Sequence, residues 1–166
     1  MNQFLADVSE VFGANACLPN DEKYNESINS YFSNQEKSIK PSCILFPKDT
    51  TDVATAVSLL AKANKEAGIG SSKFAVRSGG HACFAGSANI NDGITIDLRG
   101  LDTIEIANDS NKVTVGPGVS WGELYRTLEL LGLAVAGGRQ SSVGVGGLTL
   151  GGNWFSMQRR LVRECS

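Results

Sequence analysis

The chain has 166 residues, of which 42% are hydrophobic, so it suits one domain with a sizeable apolar core. Its formal net charge of −2 offers no basic surface for nucleic acid, and no apolar run reaches the about 18 residues of a membrane span. One His and four Cys without a C-x-x-C pair argue against a metal site, and residues 1–17 lack the basic start and apolar core of a secretory signal.

The first 40 residues are interpreted as a mostly polar lead-in that packs on the domain that follows. Weak helical spacing relates four apolar residues near the start: Phe4, Val8, Val11 and Phe12. A second group could line one face of another helix: Tyr24, Ile28, Tyr31 and Phe32.

A strand–helix–strand unit is predicted next. Residues 43–46 (CILF) form a short buried strand that Pro47 closes. Thr50 or Thr51 offers an N-cap for a helix over residues 53–67, whose buried stripe includes Val57. Residues 74–76 form the second strand, and such a unit predicts a parallel pair of strands.

The stretch FAVRSGGH, residues 74–81, runs from this strand into two glycines and the chain's single histidine. Glycines permit the positive φ angles of a tight turn and let a ligand approach the backbone N–H groups. The stretch therefore predicts an anion cradle at the carboxyl end of the strand, where open α/β sheets bind ligands. The alternative is an ordinary tight turn with an incidental histidine.

Antiparallel strands with one buried face are predicted after this loop, over residues 94–98, 104–106 and 113–115, because apolar and polar residues alternate there. Ser120 and Glu123 have capping-box spacing and open a helix over residues 121–131. Its predicted core stripe consists of Leu124, Leu128 and Leu131. A short strand over residues 133–136 follows.

A second glycine-rich loop, VGVGGLTLGG over residues 143–152, interleaves glycines with apolar residues, unlike a flexible linker. Two such segments suggest one ligand held from two sides. A Rossmann-type nucleotide domain is the rival interpretation, but the segment lacks both G-x-G-x-x-G spacing and a Walker lysine. Residues 153–166 are interpreted as a divergent tail that results from truncation, the alternative being an ordinary C-terminus.

The cysteines leave alternatives open. Cys17 and Cys43 could pair if the chain is secreted, or all four thiols could be free. Cys83, two residues after His81, is interpreted as core packing. Gly116 and Gly118 are interpreted as strand-end turns in preference to ligand contacts.

Taken together, these motifs resemble the berberine-bridge-enzyme-like FAD-linked oxidoreductases of the vanillyl-alcohol-oxidase superfamily. The segments that carry the resemblance, in order, are PSCILFPKDTTDVATAVSLL, FAVRSGGH, ITIDLRGLDTIEI, VTVGPGVSWGELYRTLELLGL and GGRQSSVGVGGLTLGG. The resemblance implies an α+β fold, namely a p-cresol-methylhydroxylase-type FAD-binding domain with a small βαβ lobe and an antiparallel lobe, incomplete in this chain. The expected division is a lead-in at 1–40, the N-terminal part of the FAD-binding domain at 41–152 and the tail at 153–166.

The resemblance also assigns residues to the cofactor. They are Arg77, Ser78, Gly79, Gly80 and His81 in the first loop, Gly86 and Ser87 in its continuation, and Gln140, Ser141, Ser142, Val143, Gly144 and Gly147 in the second segment. It implies that backbone amides of the first loop hold the FAD pyrophosphate and that His81 is bonded to the flavin 8α-methyl carbon. Many relatives attach the flavin again through a Cys, but Gln140 stands at that position, so a single covalent bond is expected.

Two functions remain open. The first is the FAD-binding portion of an oxidase that acts on a small organic substrate, such as a sugar, an alcohol or a secondary metabolite, and passes electrons through FAD to O₂. The second is a fragment that binds FAD or its ADP half without turnover, or that does not fold. Family members are longer, and their substrate domain follows, so no catalytic residue is expected within this chain. No nucleic-acid or membrane partner is expected; the compartment and the oligomeric state stay open, and secretion is compatible with the resemblance.

Overall fold

The computed structural model describes residues 2–68, 70–109, 111–152 and 162–163. The helices are α1 (Asn2–Phe12), α2 (Glu22–Asn29), α3 (Asn34–Lys37), α4 (Thr50–Ala67), α5 (Trp121–Glu129) and α6 (Val145–Leu150). The strands are β1 (Ala16–Cys17), β2 (Cys43–Leu45), β3 (Phe74–Arg77), β4 (Ile94–Asp97), β5 (Ile104–Ile106), β6 (Val113–Val115), β7 (Leu133–Ala134) and β8 (Val162–Arg163). The fold is α+β.

The main sheet has four strands in the order β1-β2-β4-β3. Strand β4 runs parallel to both β2 and β3, whereas β1 joins β2 antiparallel. The expected parallel relation of β2 and β3 therefore holds, but the two strands are not neighbours, because β4 lies between them. The assignment of residues 94–98 to an antiparallel, one-sided strand was wrong.

The polar residues of β4 explain why residues 94–98 were wrongly assigned to a one-sided strand. Its four residues are all buried, as expected of a central strand covered on both faces. The Thr95 hydroxyl donates to the Asn89 side-chain oxygen at 2.8 Å, and Asp97 accepts from the Ser27 hydroxyl at 2.8 Å. Because these hydrogen bonds satisfy the polar side chains inside the protein, their alternation with isoleucines did not indicate a solvent-exposed face.

Helix α4 begins earlier than predicted. Its N-cap is Asp49, whose carboxylate accepts from the Asp52 N–H at 2.9 Å, so the expectation of a threonine cap was wrong. Leu60 is buried against the sheet, but Val57 is 44% exposed and lies outside the buried stripe. The helix ends at Ala67, and its C-cap Gly68 has a φ of +98°.

Three apolar clusters surround the strands. The first lies between α1, α4 and one face of the main sheet: Val8, Phe12, Cys43, Leu45, Ala56, Leu60, Ile94 and Ile96. The second covers the opposite face of β2 with residues of the lead-in: Cys17, Tyr24, Ile28, Tyr31 and Ile44. The third surrounds α5: Val119, Trp121, Leu124, Leu128 and Leu133. Of the lead-in residues expected on apolar faces, Val11 and Phe32 are exposed.

The second lobe follows the prediction more closely. Strands β5 and β6 pair antiparallel, and the capping box of Ser120 and Glu123 opens α5. Helix α5 ends at Glu129, however, and Leu131 is 59% exposed, so its assignment to the core stripe was wrong.

The second glycine segment is not a loop throughout, since Val145–Leu150 form helix α6, with Gly144 as N-cap. Val145 and Leu148 pack against the α5 cluster, and this burial stabilises a glycine-containing helix of low intrinsic propensity. Within the tail, Val162–Arg163 pair with β7, while the remaining tail predictions fall on residues 153–161 and 164–166, outside the described chain. None of the helices in the described residues is long and apolar enough to span a membrane.

Candidate functional site: two glycine segments around one histidine

The first glycine loop, residues 78–81, follows directly from the carboxyl end of β3. The backbone N–H groups of these four residues make no hydrogen bond to any residue that the structure describes. Gly80 has a φ of +66°, a backbone conformation that favours glycine. Successive unpaired amides at a strand end are the donor set that binds phosphate oxygens, so the loop fits the pyrophosphate of FAD.

The two glycine segments are in direct backbone contact. A Cβ placed on Gly79 would lie 2.8 Å from the Gly144 Cα, and a Cβ on Gly144 would meet Gly79 at the same distance. Ser78 ties the loop to the second lobe, because its hydroxyl donates to the Pro117 carbonyl at 2.6 Å. The sequence-based expectation that both segments lie at one site agrees with this geometry, and side chains larger than glycine would separate them.

The second segment is fixed by the start of α5. The Trp121 N–H donates to the Val143 carbonyl and the Gly122 N–H to the Ser141 carbonyl, each at 2.9 Å. On the other side, the Val145 N–H donates to the Val119 carbonyl at 2.8 Å. The first N–H groups of a helix have no partner within the helix, and the segment supplies two of the missing acceptors.

His81 is half-buried at the rim where the segments meet. Its Nε2 lies 3.0 Å from the Ser142 Oγ, which places one residue of the second segment against the imidazole edge. The Phe32 ring stacks on the imidazole face, with centroids 4.0 Å apart and planes 14° apart. The imidazole is therefore held on one face and one edge.

Arg77 is completely buried beneath the loop. Its guanidinium donates to the Ser27 carbonyl at 2.7 Å and to the Ser30 hydroxyl at 2.9 Å, lies 3.7 Å from the Asp97 carboxylate and stacks over the Tyr31 ring. Burial lowers the pKa of Arg77, and the Asp97 charge opposes that shift. The Arg77 side chain thus supports the loop from inside the protein. A contact between FAD and the Arg77 backbone remains a prediction.

Gly80 and the Asp97 carboxylate also belong to the network of contacts around Arg77. A Cβ on Gly80 would come within 2.7 Å of the Arg77 Nε, so the glycine and the arginine fit against each other. Asp97 also binds the half-exposed Arg99 at 2.7 Å. A buried carboxylate shared by two arginines and a serine hydroxyl is well satisfied.

The continuation of the first loop is held by a buried acid that the sequence did not indicate. The Glu36 carboxylate accepts from the Gly86 N–H at 3.3 Å and from the Ala88 N–H at 2.8 Å. Gly86 has a φ of +84°, and Ser87 is exposed between the two anchored amides. Both predicted cofactor residues therefore lie in a turn whose shape Glu36 fixes.

The other predicted residues surround the same contact. Gln140, Ser141, Ser142 and Gly147 are exposed, Val143 is half-buried and Gly144 is buried. Gly116 and Gly118 form close backbone turns, with N–H groups that donate to the Thr103 and Leu101 carbonyls.

Cys83 is exposed, so its interpretation as core packing was wrong. Cys17 and Cys43 are buried free thiols on neighbouring strands, and burial raises the pKa of Cys43 to about 12. No group of three or more His, Cys, Asp or Glu side chains that could hold a metal ion occurs in the described ranges.

A cleft of about 520 Å³ lies elsewhere, between α2 and the carboxyl ends of β2 and β4. Lys23, Phe46 and Arg99 are among its lining residues, and none of the predicted cofactor residues belongs to it. The candidate site is consequently defined by the facing loops and not by this cavity.

Phe32 and Glu36 are the site residues that sequence reasoning missed. Both precede the predicted domain by several residues and contact a loop about 50 positions later. Phe32 was assigned to an apolar helical face because of its spacing from Ile28. Its position after the end of α2 places it instead on the loop.

Comparison with known proteins agrees with this geometry. The FAD binding domain family matches residues 41–162. The FAD-dependent monooxygenase sdcF of Emericella nidulans is 37% identical over 156 residues, which cover 89% of this chain and 31% of that protein. The BBE-like #28 structure from Arabidopsis thaliana superposes with a TM-score of 0.70 at 27% identity, covering 89% of this chain and 29% of that one.

A second solved structure is also similar to most of this chain. 6-Hydroxy-D-nicotine oxidase from Arthrobacter nicotinovorans superposes with a TM-score of 0.68 at 28% identity, covering 80% of this chain and 27% of that one. The chain spans less than a third of the length of each of these three relatives. The chain therefore belongs to the FAD binding domain family of flavin-dependent oxidoreductases, with the fold of the berberine-bridge-like members.

Proposed function

We propose that this chain is the FAD-holding part of an oxidoreductase that binds the cofactor pyrophosphate on residues 78–81 and bonds the flavin through His81. The observation that carries the proposal is the contact between Gly79 and Gly144, which brings the unpaired amides of one segment, the second segment and His81 to one place. An ordinary tight turn does not require two glycine segments from different lobes to meet.

The chemistry of the whole protein is part of the same proposal. A bound flavin would supply the redox chemistry, namely acceptance of a hydride from a small organic substrate, and dioxygen is the proposed final electron acceptor. The described residues bind and orient the cofactor, and the relatives' additional length would supply the substrate pocket. The names of the curated relatives include FAD-dependent monooxygenases, which supports oxidative chemistry without specifying the substrate.

His81 is suited to the covalent bond because imidazole has a nucleophilic nitrogen in its neutral form. A proton on Nε2, donated to the Ser142 Oγ at 3.0 Å, would leave the lone pair on Nδ1. A bond between Nδ1 and the 8α-methyl carbon would release the Nε2 proton, one proton of the methyl group and two electrons, and dioxygen would take up both protons and both electrons to give hydrogen peroxide. Gln140 offers no thiol for a second bond.

The test is reconstitution of the purified chain with FAD in air, followed by acid precipitation and peptide mass spectrometry. The expected result is acid-stable flavin on the peptide that contains His81 and none in His81→Ala, which should still bind FAD non-covalently through its backbone amides. An adduct on Cys83, the exposed thiol two residues away, would contradict the assignment of His81. Absence of any covalent flavin in the parent chain would refute covalent attachment.

A second candidate is a unit that holds FAD without turnover. The observation in its favour is that the contacts of the two glycine segments account for cofactor binding alone. Stopped-flow reduction by candidate alcohols and sugars distinguishes the two: flavin reduction by any of them under anaerobic conditions would refute the second candidate.

A further inference from the structure

We propose that Phe32, which precedes the FAD-binding domain, is a positioning residue that orients His81 for bonding to the flavin. The inference rests on the proposed covalent role of His81. It adds a residue outside the 41–162 family match whose aromatic ring sets the plane of the imidazole. The lead-in then contributes directly to cofactor attachment.

The contact is specific on both the backbone and the side chain. The Phe32 N–H donates to the Gly80 carbonyl at 3.0 Å, which ties the residue to the loop one position before His81. Its ring lies parallel to the imidazole at 4.0 Å, the separation of stacked rings. The side chain nevertheless remains 58% exposed. A ring that stays largely in water gains little from burial, so core packing does not account for its position.

Tyr31, the residue before Phe32, holds the Phe32 backbone in place. Tyr31 is buried, its hydroxyl donates to the Ala88 carbonyl at 2.8 Å, and the Arg77 guanidinium lies 3.7 Å above its ring. Residues 31 and 32 therefore bind the first loop at the Gly80 carbonyl and its continuation at the Ala88 carbonyl. The Phe32 backbone cannot shift without breaking these contacts, and the ring is held over His81 from a fixed point.

Two constraints together define the orientation of the imidazole. The stack with Phe32 fixes the plane of the ring, and the contact between Nε2 and the Ser142 Oγ fixes its rotation within that plane. The other nitrogen, Nδ1, has no hydrogen-bond partner among the residues that the structure describes. Rates of bond formation depend steeply on such alignment, and a displacement of about 1 Å can cost about 100-fold.

The experiment compares three variants of the chain, each incubated with FAD in air while acid-stable flavin is followed over time. Phe32→Leu removes the flat ring and keeps an apolar side chain. Phe32→Tyr keeps the ring. Phe84→Leu is the matched control, because Phe84 lies three residues after His81, is 78% exposed and has no ring contact with a described residue.

We expect Phe32→Leu to slow covalent attachment about 10- to 100-fold at unchanged FAD affinity. Phe32→Tyr and Phe84→Leu should remain within about twofold of the parent rate. A second readout requires no flavin: His81 is the only histidine, so its imidazole protons give one set of NMR signals. The stacked ring should shift these signals upfield in the parent and in Phe32→Tyr but not in Phe32→Leu.

The outcomes separate the inference from the proposed function. If Phe32→Leu attaches flavin at the parent rate, the inference is wrong and the role of His81 stands. If Phe32→Leu loses FAD affinity together with attachment, or if Phe32→Tyr fails to restore the rate, Phe32 is merely structural and the inference is again wrong. If the parent chain forms no covalent flavin although its imidazole signals show the stack, the proposed covalent role fails, and the inference fails with it.

Discussion

The two glycine segments that meet at His81 are held in different ways. The first loop and its continuation, residues 78–88, are anchored by buried charged side chains, chiefly Arg77 and Glu36. Residues 141–145 of the second segment are anchored by backbone hydrogen bonds to Val119 and to the first residues of α5. Among its side chains, that of Ser142 makes a polar contact with His81 and so touches the first loop directly.

The two kinds of anchor differ in how strongly they stabilise the fold. Inside the first anchor, Arg77 must stay paired with Asp97, because an unpaired buried charge costs several kcal/mol. The amides of residues 78–81 consequently keep their arrangement while remaining free for a ligand. Backbone hydrogen bonds fix the second segment more weakly, at about 1 kcal/mol each. We expect substitutions in the first anchor to destabilise the fold most.

The largest effect is expected for Arg77→Ala. The substitution leaves buried Asp97 with one arginine and opens space beneath Gly80. Breaking a buried ion pair costs about 3–5 kcal/mol, and the lower end applies because Asp97 keeps Arg99 and Ser27. Urea unfolding measures the change, with Arg126→Ala on the exposed face of α5 as control. A decrease of less than about 1 kcal/mol in the free energy of unfolding would show that the guanidinium is not required for stability.

Glu36→Ala should follow, with a loss of about 2–3 kcal/mol, because hydrogen bonds from two backbone amides to a buried carboxylate are removed. Hydrogen exchange should accelerate at the Gly86 and Ala88 amides. The control is Glu129→Ala at the exposed end of α5. Unchanged protection at both amides would contradict the anchoring role.

The sequence predicts the local features of this molecule but not the contacts between buried side chains that are far apart along the chain. The capping box, the β5–β6 pair and the glycine segments are local patterns, and spacing along the chain is sufficient to identify them. Arg77 and Ser27 are 50 residues apart, and Glu36 and Ala88 are 52 apart. No local pattern indicates such pairs, and the buried polar side chains of Thr95 and Asp97 made β4 resemble a one-sided strand. The meeting of the two segments was inferred from shared chemistry, whereas Phe32 had no sequence signal of its own.

A glycine pair tests the contact between the segments. Gly79→Ala places a methyl group against the Gly144 backbone and should cost about 2 kcal/mol as an overpacking substitution. Gly147→Ala is the matched control within α6, where an added Cβ meets no atom within 4 Å. Because alanine favours helix, that variant should be neutral or more stable by up to about 1 kcal/mol. Equal losses from both variants in thermal unfolding would refute the close contact.

The smallest effect is expected at the capping box, which supports the second segment through α5. The Glu123 carboxylate accepts from the Ser120 hydroxyl at 2.7 Å and from the Ser120 N–H at 2.8 Å, and these hydrogen bonds lower the pKa of Glu123 below its ordinary 4.5. Ser120→Ala should cost about 1 kcal/mol at pH 7. Ser87→Ala, an exposed serine without a side-chain hydrogen bond to described residues, is the control.

The pH dependence identifies the part that comes from the charge of Glu123. Because its pKa is lower in the folded chain than in the unfolded chain, the charged carboxylate stabilises the fold fully above the ordinary pKa and loses that effect as the pH falls through the folded value. The difference between Ser120→Ala and the parent should therefore shrink between pH 7 and pH 3 but not vanish, since the Ser120 hydroxyl still accepts from the Glu123 N–H. Amide exchange at Trp121 and Gly122, which bind the second segment, should accelerate while Gly86 and Ala88 stay protected. Equal acceleration at both pairs of amides would mean that the two anchors are not independent.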